Sequence, residues 1–333
     1  MMPAVIAVPV LTANAASHDA ADALGEKGIA VTAPGPQAAS GPQAALHGTL
    51  LRPADRESAV VVIIPGSGPT DRDGNNRHGV RAAPYRLLAQ GLARRGIASV
   101  RFDKRGMFAS RAAVPDANAV TLAAYARDVK RWVATALRQT RQPCAWLVGH
   151  SEGGLVALVA AQRQPKLCGV ILVAAPGRPF GTILREQLAA NPANAPLLPA
   201  ALAAISRFER GQRVDVRGLH PALQRLFAPS VQAFLIDLMA HDPAKLASTV
   251  RLPLLIAQGD KDIQVTLADA RRLKAHAPRA VFKRLAETNH VLKRVTGDSR
   301  AANIATYANP RLPLAPGVID AIAGFIVKPR NAR

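Results

Sequence analysis

Gly149-His150-Ser151-Glu152-Gly153-Gly154 stands where a short apolar run gives way to a small, apolar stretch of helical character. A serine hydroxyl is a weak nucleophile at neutral pH. It becomes effective when the backbone holds its Oγ clear of neighbours and a general base takes its proton. Gly-x-Ser-x-Gly between strand and helix meets the first condition, because the glycines leave room for a strained turn and the helix N-terminus behind it favours developing negative charge. Ser151 is therefore the expected nucleophile of an acyl transfer. A serine in a Gly-rich turn is common by itself, and its place at a strand-to-helix junction is what gives the pattern weight.

Two other constellations invite metal chemistry. Asp71-x-Asp73-x-Asn75 imitates the opening of a calcium loop, but its sixth position is Asn76 where that loop needs Gly and its twelfth is Ala82 where it needs Glu. His150 and His220 lack ligand spacing to Cys, Asp or other His. No metal and no cofactor is expected. Asp71, Arg72 and Asp73 read as hydrogen-bonded structural residues. The Glu152 carboxylate reads either as an influence on substrate charge or as a helix-capping or solvated group.

The elements that must position Ser151 alternate between buried strands and helices, the rhythm of a mostly parallel sheet flanked by helices in an α/β fold. Leu46 to Leu51 is an early strand. The β-branched run Ala59 to Ile64, ended by Pro65-Gly66, reads as a strand buried on both faces. A helix from Tyr85 to Arg95, a strand from Ile97 to Asp103 and a helix from Thr121 to Arg138 follow. Ala145 to Gly149 and Gly169 to Ala175 are further strands. The pattern resumes with strands at Leu254 to Gln258 and Ala280 to Leu285, and a last helix at Val318 to Val327. Between them, residues 177–250 are Ala/Leu-rich, broken by prolines and without a buried strand, so they read as an inserted helical cap on a core of residues 46–176 and 251–328.

These marks together resemble the α/β-hydrolase superfamily, whose chain order is nucleophile, acid, base. The resemblance places the acid in Gly259-Asp260-Lys261-Asp262 and the base in Thr288-Asn289-His290, each just after a strand. It favours Asp262, the later position of the turn, as the carboxylate that orients His290, and leaves Asp260 to stabilise the turn. The chain is most similar to bacterial esterase-like members, through Pro65-Gly66-Ser67-Gly68-Pro69-Thr70-Asp71-Arg72-Asp73-Gly74, Arg101-Phe102-Asp103-Lys104-Arg105-Gly106 and the Gly-His-Ser-Glu-Gly-Gly turn. It departs from them at Pro65, where many relatives have His, and at Phe108, where the relatives' pattern has Gly. The fold implies an oxyanion hole with one N–H from Glu152, and the resemblance assigns the other to Ser67, since Pro65 cannot donate.

That resemblance implies hydrolysis of a small-molecule carboxylic ester of short to medium acyl chain. A peptidase or thioesterase would use the same triad, and a catalytically silent binding protein could keep the same fold.

The formal charge of +21 raises nucleic acid as a partner, but the 33 Arg and 10 Lys never run more than two together and aromatic residues are only 4% of the chain. Nucleic-acid binding is not expected, and neither is membrane insertion, because Pro, Gly or Arg interrupts every long apolar run. Residues 1–15 hold an apolar stretch and Ala13-Asn14-Ala15, the form of a signal-peptidase site, without a positive n-region. Export from the cytoplasm is the expectation, a cytoplasmic protein with an Ala-rich arm the alternative. Residues 16–45 read as a linker. Cys144 and Cys168 fall level on neighbouring parallel strands, where either a disulfide or two buried thiols is possible.

Overall fold

A computed structural model of the protein describes residues 25–33, 44–55, 57–162 and 165–327. The signal-peptide reading of residues 1–15 lies outside them. Two strands, β1 (Glu26–Ala33) and β2 (Ala44–Leu51), pair antiparallel. β1 corrects the reading of residues 16–45 as a plain linker. Its residues are mostly exposed, with only Val31 buried and Ile29 partly buried against the main core, so the apolar alternation is too short to mark a strand in sequence, and its backbone pairs with β2.

The sheet continues with β3 (Ala59–Ile64), β4 (Ile97–Phe102), β5 (Ala145–His150), β6 (Leu167–Val173), β7 (Leu254–Gly259) and β8 (Val281–Leu285) in the order β1-β2-β4-β3-β5-β6-β7-β8. From β4 through β8 every pairing is parallel. The chain has an α/β-hydrolase fold. Strands β3 to β7 are buried at every position, as expected where helices cover both faces.

One face carries α1 (Pro84–Ala93), and the other α2 (Leu122–Thr140) and α3 (Glu152–Ala161). α2 starts where Thr121 accepts the Ala124 N–H and stops at Arg141 in a left-handed conformation. Its stripe of Leu122, Tyr125, Val129, Trp132 and Val133 packs on the sheet, with Trp132 stacked on Phe102 at 5.4 Å. α3 begins immediately after Ser151, with Gly153 and Gly154 inside its first turn.

Between β6 and β7 come α4 (Phe180–Ala189), α5 (Leu198–Glu209), α6 (Pro221–Leu226), α7 (Pro229–Met239) and α8 (Pro243–Thr249). Much of this segment packs on itself around Ile205, Phe208 and Phe227. α9 (Leu267–His276), α10 (Arg300–Ala305) and α11 (Val318–Val327) complete the helices. Among the described residues no single helix is long and apolar enough to cross a membrane. Cys144 and Cys168 form a disulfide across β5 and β6, with their Cα atoms 5.2 Å apart.

Candidate active site

Ser151 sits between β5 and α3 at φ 54° and ψ −127°, a combination that L-residues seldom adopt and that functional turns retain. The flanking glycines have a steric cause. A Cβ at Gly149 would lie 2.3 Å from the Gly153 carbonyl oxygen, and one at Gly153 would lie 2.3 Å from that of Ile64. Only bare α-carbons let α3 start this close to the ends of β5 and β3. The Ser151 N–H donates to Val173 O (3.0 Å) and its carbonyl accepts from Gly154 N (2.8 Å), so the turn is fixed from both sides.

Asp262 follows β7. Its Oδ1 accepts from the N–H groups of Gln264 (2.8 Å) and Val265 (2.9 Å), and its Oδ2 lies 3.1 Å from Gln258 Nε2 and 2.8 Å from His290 Nδ1. A carboxylate only accepts hydrogen bonds, so Nδ1 carries a proton toward Asp262, which in the neutral ring leaves Nε2 as the acceptor. Asp260 turns the other way, its Oδ2 3.0 Å from Arg284 Nη2. His290 rides on a turn pinned by Asn289, whose amide nitrogen donates to Asn303 Oδ1 (3.0 Å) and Thr306 Oγ1 (2.7 Å) while its Oδ1 accepts from Lys293 N (2.9 Å).

His150 joins this turn to β5, the strand that leads into Ser151. Its Nε2 is 2.8 Å from the His290 carbonyl oxygen, which can only accept, and its Nδ1 is 2.9 Å from Tyr85 Oη. Burial and the neighbouring His290 drive its pKa down to about 3, so the ring is neutral, Nε2–H donates, and Tyr85 donates to Nδ1. The Tyr85 hydroxyl also accepts the Gly66 N–H (2.9 Å). Burial raises its pKa well above that of an ordinary phenol, which suits a donor that stays protonated.

The His150 and His290 rings lie 4.8 Å apart, centroid to centroid, so the base candidate sits beside the residue preceding Ser151. Among the described residues no hydrogen bond joins Ser151 Oγ to His290. Such bonds are often long before substrate binds. Gly66 backs onto Ser151, since a Cβ there would lie 3.2 Å from Ser151 Cβ. Ser67, next in the chain, is part-exposed, and its N–H meets no acceptor among the described residues. Glu152 is the first residue of α3, where an N–H has no intrahelical partner. Both expected oxyanion donors are thus near Ser151.

Asp71, Arg72 and Asp73 form a hydrogen-bonded loop. Asp71 Oδ1 accepts the N–H groups of Asp73 and Asn75, Arg72 forms a fork on Asp103, and Asp73 pairs with Arg101 at 2.9 Å. His220 caps α6. Among the described residues no group of three or more His, Cys, Asp or Glu side chains could hold a metal ion.

Residues 74–294 match the Hydrolase_4 family, serine aminopeptidase, S33. The chain belongs to this family. It is 27% identical over 288 residues to esterase EstD of Thermotoga maritima, a match that covers 80% of this chain and 62% of that one. The chain therefore spans less than two thirds of that relative. Among solved structures it is similar to an esterase of Pyrococcus furiosus (12% identity, 96% of this chain and 98% of that one, TM-score 0.53). A hydrolase of Pseudomonas aeruginosa PA01 is similar too (17% identity, 90% and 98%, TM-score 0.51). At these identities the structural likeness speaks to the fold alone.

Tyr85, Lys104 and Gln258 hold the site together and were not assigned roles from sequence. Lys104 stands in the Arg-Phe-Asp-Lys-Arg-Gly motif, which was a usable signal. Tyr85 and Gln258 had none.

Proposed function

We propose that the protein is a serine hydrolase cleaving carboxylic esters without a cofactor. Ser151 Oγ attacks the carbonyl carbon and its proton passes to His290 Nε2, whose tautomer Asp262 fixes. The N–H groups of Ser67 and Glu152 receive the developing oxyanion. His290 then protonates the leaving alkoxide, and a water deprotonated by the same nitrogen releases the acid from Ser151. The observation that carries this reading is the buried 2.8 Å Asp262–His290 hydrogen bond beside a serine held at positive φ.

The family description raises an aminopeptidase as the second reading. Binding an α-ammonium needs an uncommitted carboxylate, and the one next to Ser151, that of Glu152, already faces Lys104 Nζ at 3.5 Å. The resemblance to an esterase points the same way. Four of the basic residues have structural partners, Arg72, Arg101, Arg105 and Arg178 each pairing with a carboxylate of the fold, which is consistent with charge that serves the fold. Residues 177–250 would act as a cap. Phe234 of α7 meets Tyr125 of α2 edge-on at 6.5 Å. A disulfide suits an exported protein, and fractionation of the source cells tests that placement.

The deciding experiment compares wild type with Ser151→Ala on p-nitrophenyl esters and on aminoacyl anilides. Wild type is expected to turn over esters faster than anilides, and Ser151→Ala to lose about 10⁴-fold or more while staying folded. Near-wild-type ester turnover in Ser151→Ala removes the nucleophile assignment, and faster anilide cleavage by wild type moves the protein to the peptidases.

A further inference from the structure

Both polar groups of Gly66 are held by buried side chains. Its N–H donates to Tyr85 Oη, and its carbonyl oxygen accepts from Lys104 Nζ at 2.6 Å. Lys104 follows β4 and is 3% exposed. Its other neighbours are the Glu152 carboxylate, 3.5 Å away, and the face of Tyr125, 5.4 Å to the ring centre. Burial lowers the ammonium pKa while Glu152 pulls it back up. A lysine so placed is a costly way to stabilise a fold, because an apolar pair of similar volume often does as well as a buried ion pair.

The Gly66 carbonyl and the Ser67 N–H belong to one trans peptide plane, so they point in opposite directions. Fixing the oxygen on Lys104 therefore fixes the direction of the Ser67 N–H. A cation on that oxygen also draws electron density through the amide resonance, which makes the N–H more positive and a stronger donor. Glu152, the counter-ion of Lys104, is the residue whose own N–H is the second expected donor. One buried ion pair thus spans both halves of the oxyanion hole.

We propose that Lys104 is a positioning residue for the oxyanion hole, acting through the Gly66 carbonyl to orient and polarise the Ser67 N–H. The inference rests on Ser151 being the nucleophile. Its contribution belongs to the transition state, where the oxyanion forms, and so falls on kcat and leaves KM alone.

Lys104→Met removes the ammonium and keeps the apolar stem, but leaves the Glu152 carboxylate buried without its cation. The variant Lys104→Met/Glu152→Gln avoids that orphan charge. Each is assayed on a short-chain p-nitrophenyl ester and on the matched thionoester, whose sulfur is a far poorer hydrogen-bond acceptor, with circular dichroism to verify folding. The expected result for the double variant is a kcat lower by roughly 10- to 100-fold, a fraction of the effect of deleting a donor outright. KM should stay within about twofold, and the oxygen-over-sulfur preference should shrink severalfold. A fall in kcat with that preference unchanged reduces Lys104 to packing and overturns the inference, as does an unchanged kcat. If neither Met variant folds, Lys104→Gln, which offers a neutral donor to Gly66, carries the same comparison. Fluorophosphonate labelling separates the two levels: a wild type labelled at Ser151 with indifferent Lys104 variants refutes the lysine alone, whereas a Ser151→Ala that still hydrolyses esters refutes the function first.

Discussion

Asp262 and His290 share a 2.8 Å hydrogen bond, while Asp260, two residues earlier, points to Arg284. The two carboxylates should therefore respond differently to neutralisation. Asp262→Asn would present an amide to Nδ1 and favour the wrong imidazole tautomer, with an expected loss in kcat of about 10³- to 10⁴-fold. Asp260→Asn breaks a pair whose arginine is largely exposed, so kcat should stay within about threefold and stability within about 1 kcal/mol. Steady-state kinetics and urea melts of both variants give the ranking, and the reverse order would reassign the acid.

Ser151 stores backbone strain that a glycine would release. At φ 54° and ψ −127° the cost to an L-residue is on the order of 1–3 kcal/mol, and glycine escapes most of it. Ser151→Gly and Ser151→Ala should be equally inactive, yet Ser151→Gly should melt at the higher temperature despite glycine's entropic handicap. Differential scanning calorimetry of the pair checks this, and an Ala variant as stable as the Gly variant would show that the turn is relaxed.

Much of this site was legible because its signals are local. The elbow glycines sit beside Ser151, and Asp262 and His290 each follow a strand. The choice between Asp262 and Asp260 came from family resemblance, since nothing in Gly259-Asp260-Lys261-Asp262 itself ranks them. The parts that stayed hidden depend on contacts between distant residues. Tyr85 and Lys104 reach Gly66 across 19 and 38 residues, and no periodicity announces such a bond. β1 stayed hidden for a different reason, because only Ile29 and Val31 turn toward the core and two apolar positions among exposed ones are too few to mark a strand. Phe108 was visible as a departure from the relatives' glycine, and it adopts φ 45°, so the backbone keeps the conformation that glycine would take at less cost.

The Cys144–Cys168 bridge closes a loop with a sequence separation of 24. Cross-linking a loop of that length is worth about 3 kcal/mol in the chain-entropy treatment. Cys144→Ser/Cys168→Ser should lower the stability measured by urea unfolding by roughly that amount and remove the sensitivity to reductant, with ester turnover retained at temperatures where the variant is folded. Equal urea midpoints for wild type with and without reductant would argue that the bridge carries no stability.

Acid should destabilise the protein partly through His150. Its folded pKa of about 3 lies below the ordinary 6.5, first because it is buried and second because His290 adjoins it, with the Asp262 charge acting weakly in the opposite direction. Between those values the unfolded chain binds a proton that the folded chain refuses, so this contribution is complete above about pH 6.5 and is lost progressively as pH falls toward 3. Going from pH 7.5 to 5, wild type should lose about 2 kcal/mol more than His150→Gln, the equivalent of one withheld proton over roughly 1.5 pH units. Parallel urea titrations at the two pH values read this directly. Identical losses in the two proteins would mean that His150 is protonated at no unusual cost.

Short to medium acyl chains should be preferred, because the helical segment between β6 and β7 has committed most of its apolar side chains. Phe208, Phe227 and Met239 are buried in that segment's own cluster, with Leu197, Leu198, Leu226 and Leu235 packed against it. Phe234 instead packs toward the main core and meets Tyr125, which in turn covers Lys104. That leaves few apolar surfaces to receive an alkyl chain. Leu202 stands exposed on α5 with Arg207 and Arg210 nearby in the chain, so the outside of the segment lacks the broad apolar face that docking on a lipid droplet favours. Across p-nitrophenyl esters of increasing length, kcat/KM should rise while added methylenes are still buried, at up to about 0.8 kcal/mol each, and then fall once the chain outgrows the pocket. Phe234→Ala should enlarge the space beside Tyr125 and move the optimum toward longer chains. A wild-type optimum on long-chain emulsions, or a Phe234→Ala profile identical to wild type, would contradict this view of the helical segment.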